Sequence, residues 1–162
     1  MTHEMNMKKN ILVFLTLACL SAFAAVDPIS VQKLELRPGW NLVTLTRSLT
    51  AESALHFLKL HPMTLDVTGM CYVQCTGKDD LKVGVGYWVF SRTPQQTIEL
   101  VHDLAQTSYE TADLTAGWNL IGVAETSTWQ TLATKIWQWV NGHYQSASQE
   151  ELAAGKAYWV NQ

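Results

Sequence analysis

Residues 38–42 read PGWNL and residues 116–120 read AGWNL, so one rare string occurs twice in a chain of 162 residues. A second pair follows, because GYWVF at 86–90 resembles KAYWV at 156–160. Each copy therefore opens with a Gly-Trp-Asn-Leu strand and closes with a Tyr-Trp-Val strand. Repetition on this scale predicts two copies of one supersecondary block. We expect the copies to pack together, since a unit of this size alone would bury only a thin core.

The residues between the strings predict the order strand, strand, helix, hairpin, strand in each unit. Thr50 is suited to cap a helix over 51–59 in the first unit. A shorter helix is expected after 127–128 in the second. Asn141-Gly142 predicts a hairpin turn, because both positions of such a turn need positive φ. Thr76-Gly77 is predicted to be the matching turn of the first unit.

The fold class that follows is α+β and rich in β-strand, with two tandem pseudo-symmetric repeats. The first repeat is placed at 25–101 and includes a linking strand near 97–101. The second is placed at 102–162.

These strings resemble the GWNLI…GYWV modules that recur in secreted and surface proteins of bacteria. The resemblance extends from about Leu34 to Val160. It implies a location outside the cytoplasm and a repeat architecture. It brings no shared catalytic residues with it.

Residues 1–24 have the character of a secretory signal peptide. Lys8 and Lys9 precede an uncharged run, and Ala22-Phe23-Ala24 is a small-x-small cleavage site. Cleavage after Ala24 is expected, and the protein would then be periplasmic, at the cell surface or extracellular. Cys19 leaves lipidation open, and Met5 or Met7 could be the true start.

The charge of the remaining chain limits its partners. Without Glu4, Lys8 and Lys9 it has 9 basic and 13 acidic residues, a net charge of −4. A nucleic-acid partner is not expected, because no basic patch is available for a phosphate backbone. No later apolar run is long enough to cross a membrane as a helix. Envelope proteins or glycans are the expected partners, and no cofactor is predicted.

The matched residues of the repeats are predicted to be structural. Buried amides need hydrogen bonds, so the two Asn of the repeated strings should tie neighbouring turns to the strand. Ligand binding is the alternative. The predicted repeat core consists of Trp40, Asn41, Trp88, Trp118, Asn119 and Trp159.

The unmatched aromatic residues are the candidate binding site. Trp137 and Trp139 lie on one face of a predicted strand, and Tyr144 faces Trp139 across the Asn-Gly turn. Trp129 is nearby in sequence. These rings could stack on sugars, contact a partner, or form ordinary core beneath the helix.

Cys71 and Cys75 are the candidates for redox or metal chemistry. An exported protein favours a disulfide, yet residues four apart in a strand lie too far apart for one. Two free and buried thiols and a bridged bend both remain open. The spacing C-x3-C is not typical of zinc, so no metal site is predicted.

Catalysis has little support in the sequence. His102 and Asp103 are adjacent, and neighbours in a strand point to opposite faces. The acidic pairs Asp79-Asp80 and Glu150-Glu151 are expected to be solvated turn residues. The sequence therefore predicts an exported, non-catalytic module with a structural or protein-contact role. Carbohydrate binding is the alternative, and a small secreted hydrolase is a remote third.

Overall fold

The computed structural model describes residues 30–105, 114–124 and 134–162. The predicted signal peptide with Cys19, the second predicted helix and Trp129 lie outside these residues. Within them are ten strands and one α-helix, α1, at Ala51–Leu58. The strands are β1 (Val31–Leu36), β2 (Gly39–Thr44), β3 (Met63–Asp66), β4 (Cys71–Gln74), β5 (Gly86–Ser91), β6 (Gln96–Val101), β7 (Trp118–Gly122), β8 (Lys135–Val140), β9 (His143–Ala147) and β10 (Ala157–Asn161).

The strands form three antiparallel sheets. The first four-stranded sheet has the order β2-β5-β3-β4, and the second has the order β7-β10-β8-β9. The first strand of each sheet in the chain therefore pairs with the last one, and a hairpin completes the sheet. Among the described residues the linking strand β6 pairs with β1 alone, in a separate two-stranded sheet. The β-rich α+β class predicted from the sequence is confirmed.

The main core lies between the first four-stranded sheet, α1 and the β1–β6 pair. Thr50 caps α1, because its side-chain oxygen accepts the N–H of Ser53 at 3.3 Å. Phe57 projects from α1 onto Tyr87 of β5, with ring centroids 5.7 Å apart. A smaller core covers one face of the second sheet; it consists of Ile121, Val123, Ile136, Tyr158 and Val160.

The two four-stranded sheets meet at their first strands. Val43 of β2 forms a bridge with Lys156, and Ile121 of β7 forms a bridge with Val85. At this contact the N–H of Gly122 donates to the carbonyl of Gly84 at 2.9 Å. A Cβ on Gly122 would collide with the Thr44 side chain and lie 2.6 Å from the Val85 carbonyl. Glycine is thus required here by close approach.

The two hairpins turn by different means. Asn141 and Gly142 have φ of 52° and 83°, as predicted for a two-residue turn. In the first sheet the predicted turn at Thr76-Gly77 is wrong, because β3 and β4 are joined at 67–70 instead. There the Asp66 carboxylate accepts the N–H of Thr68 at 3.0 Å. An aspartate can nucleate a turn in this way without an Asn-Gly pair.

Buried tyrosines fasten the chain before the last strand of each sheet. The Tyr158 hydroxyl accepts the N–H of Ala153 at 3.0 Å and donates to the carbonyl of Glu151 at 2.8 Å. The Tyr87 hydroxyl makes corresponding bonds to the backbone of Lys82 and Asp80. Burial raises the pKa of both phenols, so the hydroxyls stay protonated as donors.

Candidate functional site

The inner faces of the two four-stranded sheets are covered with aromatic rings, which we call the aromatic seam. The strand alternation places these rings on one side of each sheet and leaves the apolar cores on the other. The aromatic seam consists of Trp40, Tyr72, Trp88 and Phe90 from the first sheet, with Trp118, Trp137, Trp139, Tyr144 and Trp159 from the second.

Reciprocal contacts cross the aromatic seam. Tyr72 meets Trp159, and Tyr144 meets Trp88, each at a centroid distance of 6.4 Å with nearly perpendicular rings. Trp88 also meets Trp139 at 5.1 Å. Edge-to-face packing of this kind is favourable because ring edges and faces carry opposite partial charge. The rings therefore hold the two sheets together.

Matched tryptophans pack alike within each sheet. Trp40 and Trp88 lie 6.3 Å apart at 88°, and Trp118 and Trp159 lie 6.3 Å apart at 81°. Their burial differs, since Trp88 is only 7% exposed while Trp40 is 45% exposed. The prediction of a core position is thus wrong for Trp40, because β2 is an edge strand of its sheet among the described residues. Trp118 and Trp159 are half-buried.

The three rings predicted as a binding patch do converge. Trp139 and Tyr144 have centroids 4.9 Å apart, and Trp137 lies two residues before Trp139 on the same face. They do not form a flat platform, because the ring planes of Trp139 and Tyr144 meet at 72°. The indole N–H of Trp139 is used internally, donating to the carbonyl of Trp40 at 2.8 Å. Trp137 remains 37% exposed.

Two small apolar cavities adjoin Tyr144. One of about 300 Å³ is lined by Trp118, Trp137, Tyr144 and Trp159. The other, of about 280 Å³, is lined by Trp40, Met63, Tyr72, Trp88, Trp139 and Tyr144. These linings offer rings and very few hydrogen-bonding groups. They suit apolar side chains better than a polyhydroxylated ligand, which needs polar partners for its hydroxyls.

The repeated asparagines have the same partners in both sheets. The Asn41 side-chain oxygen accepts the Arg37 N–H at 2.9 Å, and its amide donates to the carbonyls of Arg37 and Gly39. The Asn119 oxygen accepts the Thr115 N–H at 2.9 Å, and its amide donates to Thr115 and Gly117. Each side chain thus fastens the turn that precedes its strand, which is the structural role predicted from the sequence.

Cys71 and Cys75 are both free thiols. Cys75 is buried, and burial, reinforced by the nearby Asp80 carboxylate, raises its pKa to about 11. Cys71 is exposed at the start of β4, which corrects the expectation that both would be buried. The cause is the position of the first hairpin turn, because Cys71 follows this turn instead of preceding it.

The remaining candidates for chemistry make structural hydrogen bonds. His102 is buried, with Nδ1 2.8 Å from the Ser30 hydroxyl and Nε2 3.3 Å from the Thr46 hydroxyl. The Asp80 carboxylate accepts the N–H groups of Thr76 and Gly77, which lowers its pKa. In the described ranges no three His, Cys, Asp or Glu side chains are grouped to hold a metal ion.

Tyr72 is the site residue that sequence reasoning missed. With the turn at 67–70, Tyr72 lies two residues after the turn, as Tyr144 does after Asn141-Gly142. Its hydroxyl accepts the indole N–H of Trp88 at 3.2 Å. The signal in the sequence is a tyrosine two residues after a turn in each half, Tyr72 and Tyr144, but the wrongly placed first turn conceals the match.

No protein family, curated protein or solved structure matches this chain. None of the helices in the described part of the chain is long and apolar enough to span a membrane.

Proposed function

We propose that this protein is an exported, non-catalytic module of the bacterial cell envelope. It binds a partner protein by pairing β4 with an extended strand of that partner. The observation that carries the proposal is an exposed, uncharged and largely apolar strand at the free edge of the first sheet. The export part rests on the signal-like residues 1–24.

The proposed scaffold is a duplicated unit whose two copies pack as a pseudo-dimer. The identical strand orders support it, as do the matched bonds of Asn41 and Asn119. The bridges Val43–Lys156 and Val85–Ile121 support it further. Aligning the two Tyr-Trp-Val strands equates Val85 with Lys156, and aligning the two GWNL strings equates Val43 with Ile121. The two bridges therefore join the same pair of equivalent positions with the halves interchanged. Such exchange is what a two-fold relation requires.

The docking edge is defined by Val67, Met70, Tyr72 and Val73. All four side chains are exposed, and Met70 reaches 61%. β4 lies at the end of its sheet, with no further strand beside it among the described residues. A strand in this position offers unpaired N–H and C=O groups to another chain, and proteins usually protect it with charge or proline. β4 has neither, so an extended apolar segment of a partner fits it.

A peptide selection tests this proposal. A library of random octapeptides would be selected on the mature protein, and bound peptides located by changes at the amides of 71–74. We expect alternating apolar sequences that protect these amides from hydrogen exchange. Val73→Lys should abolish binding, because it places a charge on the apolar edge. Gln145→Lys, at the equivalent position of β9, is the matched control and should bind normally.

Other outcomes would overturn the proposal. Peptides that bind Val73→Lys as well as the unchanged protein would place the contact elsewhere. Failure to select any peptide would remove the edge as a partner site. A dimer in solution that Val73→Lys dissociates would identify a second copy, and not a partner protein, as the occupant.

Export is tested separately by the mass of the protein recovered from cell fractions. We expect an envelope or secreted species that begins at Ala25. A full-length species retained in the cytoplasm would contradict the proposed location, and an added lipid mass would indicate processing at Cys19.

The glycan alternative at Trp137, Trp139 and Tyr144 has less support. The rings meet at steep angles and the adjoining cavity has an aromatic lining. Acrylamide quenching with and without added glycans, beside a Trp137→Ala control, tests this alternative. Protection of the Trp137 ring by a glycan would support sugar binding there.

A further inference from the structure

A third and larger depression lies on the side of the molecule where β2 faces the Asn-Gly hairpin. Its volume is about 870 Å³, within the range of about 300–1,000 Å³ that is usual for small-molecule sites. We call it the polar groove. Its side walls come from segments roughly one hundred residues apart: Glu35, Arg37 and Trp40 on one side, and Gln138, Trp139, Asn141 and Lys156 on the other.

Aromatic rings supply part of the wall. Trp40 is half exposed, and its ring is held edge-on by Trp88 and Phe90. Trp139 is fixed by its hydrogen bond to the Trp40 carbonyl. Rings held in place lose little conformational freedom when a ligand stacks on them.

The polar side chains are placed at the rim. The guanidinium of Arg37 donates to the side-chain oxygen of Asn141 and so spans the groove between the two halves. A guanidinium has five N–H donors, so this bond leaves most of them available. Lys156 is exposed and makes no ion pair among the described residues. Gln138 adds an amide.

The charges at the groove have the opposite sign to the chain as a whole. Arg37 and Lys156 are cationic and Glu35 is the one anionic lining residue, although acidic residues outnumber basic ones in the sequence. Glu35 already accepts the Thr97 hydroxyl at 2.9 Å. The adjacent Lys33 pairs with Glu99 at 3.0 Å and is not available to neutralise Glu35 further.

We propose that the polar groove binds a short acidic oligosaccharide. Arg37 and Lys156 hold a carboxylate, a pyranose ring lies against Trp40, and Gln138 and Asn141 bond to hydroxyls. A guanidinium suits a carboxylate because it can bond to both oxygens, and indole rings suit the apolar face of a sugar. This site is independent of the docking edge.

Calorimetric titration with α-1,4-linked trigalacturonate tests the proposal. The fully methyl-esterified trisaccharide is the matched probe, since it keeps the rings and removes the charges. We expect the acid to bind and its affinity to fall as salt is added. The ester should bind about tenfold more weakly, because it loses its charge-assisted bonds.

Variants locate the site. Lys156→Gln should weaken acid binding about tenfold and leave ester binding nearly unchanged. The Lys156 ammonium makes no ion pair with the described residues, so a loss of binding is not a loss of structure. Arg37→Gln should do the same, with Tm as a check because Arg37 bonds to Asn141. Lys135→Gln removes an exposed cation outside the groove and should bind as the unchanged protein does.

Three results would overturn the inference. They are equal binding of acid and ester, unchanged binding by Lys156→Gln, and no binding of either probe. Val73→Lys separates this inference from the proposed function, because it should abolish peptide binding and leave trigalacturonate binding intact.

Discussion

The outer hairpins of the two four-stranded sheets have equivalent places in the strand order and opposite surface chemistry. β4 of the first sheet exposes Tyr72 and Val73, next to Met70 of the turn. β9 of the second sheet exposes the equivalent tyrosine, Tyr144, but surrounds it with His143, Gln145 and Ser146. The two edges share an exposed tyrosine and differ in its neighbours, which are mostly apolar on β4 and polar on β9.

The buried positions of the same sheets are far more alike. Both have a hydroxyl-bonded tyrosine in the last strand and an amide-bonded asparagine in the first. Packing therefore constrains the inner residues of both sheets, whereas the outer hairpins are free to differ. Function is therefore to be sought where the halves disagree.

The largest expected effect tests whether Trp88 and Trp159 of the aromatic seam contribute unequally to stability. Trp88 meets Trp40, Trp139 and Tyr144, and its indole N–H is hydrogen-bonded. Its counterpart Trp159 is half-buried, and its indole nitrogen makes no hydrogen bond of ordinary length and angle with the described residues. We expect Trp88→Ala to lower the free energy of unfolding by about 4 kcal/mol, since a large buried ring is lost.

Trp159→Ala is the matched comparison and should cost about 2 kcal/mol, because a half-buried ring loses less contact. Urea unfolding of the mature protein would measure both losses. Equal losses would mean that the seam is as closely packed around Trp159 as around Trp88.

The contact between the sheets is tested by Gly122→Ala. The added methyl group would collide with Thr44 and the Val85 carbonyl, so we expect a loss of about 3 kcal/mol in the same measurement. Gly77→Ala is the control, because its Cβ would lie 3.9 Å from the nearest atom at Asp80. A near-neutral Gly122→Ala would show that the two sheets can separate at little cost.

Much of the fold could be predicted because its signals are local. Thr50 marks the start of α1, and Asn141-Gly142 marks the second hairpin. The position of the first hairpin is not predicted correctly, because its turn depends on the Asp66 carboxylate, which accepts the N–H of Thr68. Aspartate is equally common in turns of other kinds, so it does not mark this one. One misplaced turn then moved Cys71 and concealed Tyr72.

The candidate sites could be predicted only in part. Strand alternation and the Asn-Gly turn predict that Trp137, Trp139 and Tyr144 lie together, as they do in the structure. Trp88, which meets Trp139 and Tyr144, belongs to the other sheet. No periodicity in sequence predicts which rings face each other across an interface. The polar groove cannot be predicted from the sequence for the same reason, because Arg37 and Lys156 line one groove only where the two halves pack together, beside the Val43–Lys156 bridge.

The likeness of the halves is tested by removing the matched amides. Asn41→Ala and Asn119→Ala each leave backbone groups of the preceding turn without partners, which should cost about 2 kcal/mol. We expect the two losses to agree within about 0.5 kcal/mol, as the bonds are the same. A much smaller loss for Asn119→Ala would show that the second turn is fastened by other contacts, such as the backbone bonds between Gly117 and Gln162.

The smallest expected effect is a pH dependence of stability in the first half. Hydrogen bonds from the N–H groups of Thr76 and Gly77 hold the pKa of Asp80 below its ordinary value of 3.8. A lowered pKa in the folded state contributes stability above the unfolded value, and that contribution is lost as the pH falls through the folded pKa. Asp80→Asn should therefore lower Tm at neutral pH and lose this effect below about pH 4.

Asp79→Asn, an exposed neighbour, is the control and should leave the pH profile unchanged. A deficit in Asp80→Asn that stayed constant from neutral to acidic pH would mean that the carboxylate acts as a hydrogen-bond acceptor whose charge adds nothing.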